Sequence, residues 1–80
     1  LKVAVIHSGH KARAKWRAVS AATSYQVRWW NKGRYTKWKS VTKTQALHKV
    51  KPGRLYKVQV RARTQDVAGP VVTRKFRARR

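Results

Sequence analysis

Val50-Lys51-Pro52-Gly53-Arg54-Leu55-Tyr56-Lys57-Val58-Gln59-Val60-Arg61-Ala62 is the stretch on which the fold turns. It opens with Lys-Pro-Gly, a turn signal in which proline presets one backbone angle and glycine accepts the next. From Tyr56 the apolar Tyr56, Val58, Val60 and Ala62 then alternate with Lys57, Gln59, Arg61 and Arg63. A period of two places one set on a buried face and the other in water, which is the mark of a strand covered on one side.

The same period recurs on both sides of this stretch. Between Lys11 and Arg17 the cations Lys11, Arg13, Lys15 and Arg17 alternate with Ala12, Ala14 and Trp16. A helix would scatter those charges around its whole circumference. Tyr25, Val27 and Trp29 alternate with Gln26, Arg28 and Trp30, and Val72, Phe76 and Ala78 alternate with Lys75 and Arg77, with Arg74 interrupting the last series. Ser8-Gly9, Asn31-Lys32-Gly33 and Ala68-Gly69-Pro70 add breakers between the runs, and Ala18 to Thr23 reads as a loop. Short alternating strands separated by turns predict an all-β sandwich.

The arrangement resembles the fibronectin type III domain from about Val3 to Ala78. Trp16 stands where that family has its strand B tryptophan, and Tyr25-Gln-Val-Arg-Trp29 looks like strand C. Trp38 followed by Val41 looks like the short strand after it. The Val50–Ala62 stretch is similar to the E–F corner and strand F, with Val50 in place of the usual leucine. The resemblance implies a seven-stranded immunoglobulin-like β-sandwich with sheets A-B-E and C′-C-F-G. It implies a core built on Trp16, Tyr25, Val27, Trp29, Leu47, Tyr56, Val58 and Val60, with Tyr56 bonded through its hydroxyl to nearby backbone. It also implies a single domain over residues 1–80, a fragment of a larger extracellular or cell-surface protein. The loop Thr64-Gln-Asp-Val-Ala-Gly-Pro70 contains no Arg-Gly-Asp, so integrin binding through that tripeptide is not expected.

Composition narrows the chemistry. The 80 residues hold 22 Lys and Arg against one acid, Asp66, for a formal charge of +21. An average chain of this length has roughly 10 carboxylates. Two-carboxylate glycosidase chemistry and carboxylate-rich Ca²⁺ or Mg²⁺ sites are thereby excluded. The absence of cysteine excludes disulfides, thiolate metal sites and thiol nucleophiles. Hydrophobic residues at 41%, rich in Val and Trp, separate the chain from disordered polycations. The chain starts at Leu1, shows no signal-peptide pattern, and has no apolar run near the ~20 residues a membrane span needs.

The expected function follows from where alternation puts the charge. Lys11, Arg13, Lys15 and Arg17 face outward on one sheet. Arg28, Lys57, Arg61, Arg63, Lys75 and Arg77 face outward on the other, bordered by Lys37 and Lys39, and are the expected polyanion-binding residues. A net charge of magnitude roughly 2–8 serves solubility, so +21 points beyond it. Trp30, with Tyr35, is a candidate stacking platform for a base or sugar ring; the alternative is that Arg and Lys stems cover it. Trp38 is expected in the core or at an edge, and His48 as an ordinary half-exposed strand residue.

His7 and His10 lack a third ligand nearby, so no metal or other cofactor is expected, and Asp66 is expected in a turn or local ion pair. No enzyme is expected. The partner expected is a polyanion: a cell-wall polymer, sulfated glycan, acidic lipid or nucleic acid. Two other readings are an engineered supercharged scaffold and an assembly subunit paired with acidic neighbours.

Overall fold

Two strands joined by Gly9 and His10 begin the chain: β1 (Val3–Ser8) and β2 (Lys11–Trp16). Gly9 has φ 58°, the positive angle that tight hairpin turns require at their first position. In the computed structural model, which describes residues 2–65 and 67–78, six further strands follow. They are β3 (Ser24–Asn31), β4 (Arg34–Tyr35), β5 (Lys39–Val41), β6 (Gln45–Lys49), β7 (Leu55–Arg63) and β8 (Val72–Arg77). No helix occurs among the described residues, and so none that is long and apolar enough to cross a membrane. Asp66 and the Arg79-Arg80 end lie outside the described residues.

The strands form two antiparallel sheets, β1-β2-β6 and β4-β3-β7-β8, with β5 also paired to β3. β4 meets β3 at Trp30 and Asn31, while β5 meets it at Tyr25 to Val27, so the two behave as one interrupted edge strand. The interruption is held by Thr36, whose amide donates to the Trp29 carbonyl at 2.8 Å while its hydroxyl accepts from the Trp29 amide at 3.0 Å. Counting this edge once leaves the seven strands of an immunoglobulin-like sandwich.

Between the sheets lie Val3, Ala12, Ala14, Trp16, Tyr25, Val27, Trp29, Val50, Tyr56, Val58, Val60 and Ala78, all buried. Two tyrosine hydroxyls reach out of this apolar layer to the backbone. Tyr56 accepts from the Lys51 amide at 2.8 Å, tying the Lys-Pro-Gly turn to the start of β7. Tyr25 accepts from the Val19 amide at 2.8 Å and anchors the loop between β2 and β3. Gly53, at φ 85°, closes the first of these turns, and its amide donates to the Ala78 carbonyl at 2.7 Å.

Leu47 corrects the expected core. It is 61% exposed and points outward from β6, opposite Arg13. The register is set by Val50, whose amide donates to the His10 carbonyl at 2.8 Å and whose side chain is buried. Counting back by two from Val50 turns His48 and Ala46 inward and Leu47 outward, because a one-residue offset exchanges the faces of a strand. His48 instead stacks on Trp29, with ring centroids 4.8 Å apart and planes 10° from parallel. Phe76 stacks on Tyr56 at 5.7 Å and meets Trp29 edge-on at 6.2 Å, so with His48 aromatic rings from four strands share one end of the core.

Two predictions follow from this packing. Tyr56→Phe leaves the Lys51 amide without its acceptor and is expected to destabilise the domain by about 1–3 kcal/mol; an unchanged urea midpoint would contradict the bond. Burial among Trp29 and Tyr56 lowers the His48 pKa below 6.5. The unfolded chain then binds more protons than the folded one as pH falls through that value. The stability is therefore fully present above pH 6.5 and is lost as pH falls from there toward the lower folded-state pKa. Urea midpoints between neutral and acid pH measure it, and His48→Gln should remove that part of the slope.

Candidate cationic sheet face

Register decides which side chains meet on the outside of the larger sheet. Gln26 lies opposite Arg61, Arg28 opposite Gln59, Trp30 opposite Lys57, and Ser24 opposite Arg63. β8 extends two of these rows, with Lys75 opposite Lys57 and Thr73 opposite Gln59, and Arg77 stands opposite Leu55. Because Gln and Arg alternate in opposite phase in the middle of β3 and β7, Arg28 and Arg61 each face a glutamine. Arg28 donates from Nε to Gln59 Oε1 at 2.6 Å, and Arg61 from Nε to Gln26 Oε1 at 2.7 Å. Gln59 in turn donates to the Thr73 hydroxyl at 3.1 Å.

Aromatic rings hold the same guanidiniums from the side. The Arg28 guanidinium lies 4.3 Å from the centre of the Tyr35 ring and 4.4 Å from that of Trp38. Arg61 lies 4.2 Å from the same Trp38 ring. Tyr35, Arg28, Trp38 and Arg61 thus form one stack across the strands. The negative faces of the rings attract the cations, and each contact is worth roughly 0.5–1 kcal/mol at an exposed site. Bonded through Nε and packed against rings, Arg28 and Arg61 are held in fixed orientations on the outer face.

Trp38 therefore lies against the outer face in the interrupted edge strand, the edge position of the two expected and not the core. It sits in the three-residue gap between β4 and β5, where strand alternation gives no guidance. The signal available in the sequence was its setting in Lys37-Trp38-Lys39, an aromatic among cations. Lys39 differs from its expected place too: it stands opposite Val27, on the core-facing side of an edge strand, while Ser40 faces out opposite Gln26. Lys57 extends its ammonium over Trp30 at 4.7 Å, so one face of the candidate stacking ring is occupied. Tyr35 is partly exposed at 37%, with Arg28 on it.

The remaining cations of the set are less constrained. Lys75 and Arg77 are exposed, and Arg77 donates from one terminal nitrogen to the Gly53 carbonyl at 2.9 Å. Arg63 closes the far end of β7 half-buried. Arg74 stands opposite Val58 on the core-facing side of β8, yet is exposed, an inward-pointing charge at a sheet edge. Such charges discourage edge-to-edge association of sheets. No cluster of three metal-ligating side chains occurs among the described residues.

Comparison with known proteins agrees with this architecture. The family model of the fibronectin type III domain matches residues 2–74, and the chain belongs to that family. Among solved structures, the fn3 domain of human collagen alpha-1(XX) chain superposes with a TM-score of 0.85 at 18% identity, covering 98% of this chain and 81% of that one. The fn3 domain of human contactin 1 gives 0.80 at 21% identity, covering 98% and 74%. The FN1-FN3 domains of chicken CNTN1 give 0.82 at 20% identity, covering 99% of this chain and 30% of that one. These likenesses show the fold. No curated protein sequence matches the chain. The family is one of non-catalytic modules typically carried by larger cell-surface proteins.

Removing the shared ring tests the stack. Trp38→Ala is expected to destabilise the domain by about 1–2 kcal/mol, with a coupling of about 0.5–1 kcal/mol to Arg61→Ala in a double-mutant cycle. Strict additivity in urea unfolding would show that the ring and the guanidinium do not interact.

Proposed function

We propose that this chain is one module of a larger extracellular or cell-surface protein, and that it docks on anionic polymers through the outer face of β3, β7 and β8. One observation carries the reading: Arg28, Lys57, Arg61, Arg63, Lys75 and Arg77 occupy neighbouring rows of that face in a chain whose one acid is Asp66. Lys57 and Lys75 stand directly opposite each other, an arrangement that destabilises a sheet unless a counter-charge lies between them. Rows on one face repeat about every 7 Å along a strand and strands lie about 4.8 Å apart. That spacing suits a chain of closely repeated phosphates or sulfates. Binding releases the polymer's counterions and weakens steeply with salt.

Charge reversal that spares the arginine stack tests the reading. Lys57→Glu, Arg63→Glu and Lys75→Glu together should weaken binding to heparin and to duplex DNA at least about tenfold more than Arg13→Glu, Lys15→Glu and Arg17→Glu together. The first set should also lower the salt slope for DNA by about 2–3. Equal losses would mean a diffuse field and no site.

A further inference from the structure

Three turns converge at one pole of the sandwich: Gly9-His10, Lys32-Gly33 and Lys51 to Arg54. Register brings them together, because Lys11 pairs with Lys49 at the end of β6, and Trp30, at the end of β3, pairs with Lys57 at the start of β7. Between them opens a cleft of about 430 Å³, lined at its cationic positions by Lys11, Lys32, Lys49, Lys51 and Arg54. Val50, Tyr56 and the half-buried imidazole of His48 close its inner end. The volume is in the range of roughly 300–1,000 Å³ typical of small-ligand sites. No acidic residue among the described residues lines it.

At the opposite pole Arg17 and Lys43 lie in the loops, and Lys2, Lys15 and Arg63 at the adjoining strand ends. At the first pole the cations line one concave cleft, separate from the flat outer face of the larger sheet.

We propose that this cleft binds a small organic anion: a sulfate, phosphate or carboxylate head among the cations, attached to a flat apolar body that enters between the sheets. The head follows from five cationic side chains around one opening with no acid among the described residues of its lining. The body follows from the shape. Packed sheets stand about 10 Å apart, so the gap at the end of the core is a slot, and its inner end is aliphatic and aromatic. A flat ring fits such a slot, whereas a hydrated inorganic ion leaves the inner end unfilled. The site stands independently of the docking face on the larger sheet.

Anilinonaphthalene sulfonate is the probe, titrated into the folded chain at physiological ionic strength and followed by its fluorescence. One saturating site is expected. Lys51→Glu with Arg54→Glu should weaken it at least about tenfold, while Lys15→Glu with Arg17→Glu, which changes net charge equally, should change it less than about threefold. Inorganic sulfate should compete only weakly, because it lacks the body. On the unaltered chain, probe-induced amide shifts should centre on Gly9, Lys32, Lys51 and Arg54, a result that does not depend on any variant folding. Absence of saturable binding, equal losses in the two charge variants, or shifts centred on Gln59 and Thr73 would overturn the proposal.

Discussion

Like-charge repulsion is the constraint around which this molecule is organised. With 22 Lys and Arg against one acid, nearly every cation must be held without an internal ion pair. The fold answers with geometry. Alternation directs most of the cations outward, opposite phasing of Arg and Gln on β3 and β7 keeps Arg28 and Arg61 out of the same row, and ring faces replace carboxylates as partners. Lys57 uses Trp30 in the same way. What these contacts leave unneutralised is the charge on which the proposed docking to an external anion rests.

Holding such a surface requires a rigid support from a small core. Chains of this size bury only about 60% of their unfolded surface, so each internal constraint carries weight. The tyrosine hydroxyls at positions 25 and 56 fix two loops to the core without burying an unpaired amide. The Tyr56 bond does more than stabilise: it sets the Lys-Pro-Gly turn, from which Lys51 and Arg54 border the cleft at that end of the sandwich. Core geometry and surface charge are thereby joined at the same few residues.

Much of this was legible in the residues. Alternation placed β2, β3 and β7 with their correct faces, and the breakers marked the turns. β6 was not legible, because Leu47 is more apolar than His48 and hydropathy alone turns it inward; the deciding fact is the anchoring of Val50 by His10 across a separate hairpin. Trp38 lay outside any alternating run, so its position depended on tertiary contact with two arginines. The arginine–glutamine pairing requires the register between β3 and β7, which local patterning does not contain. The candidate face was therefore visible as a set of charges, while the partners that orient them were not.

Thermal unfolding across ionic strength tests the central claim most directly. Screening shortens the reach of charge interactions from about 30 Å at 0.01 M salt to about 8 Å at 0.15 M. If unpaired cations oppose one another across this fold, the midpoint rises steadily over that range in NaCl. A midpoint that stays level or falls would mean that the cations are neutralised within the folded chain, and would contradict the account.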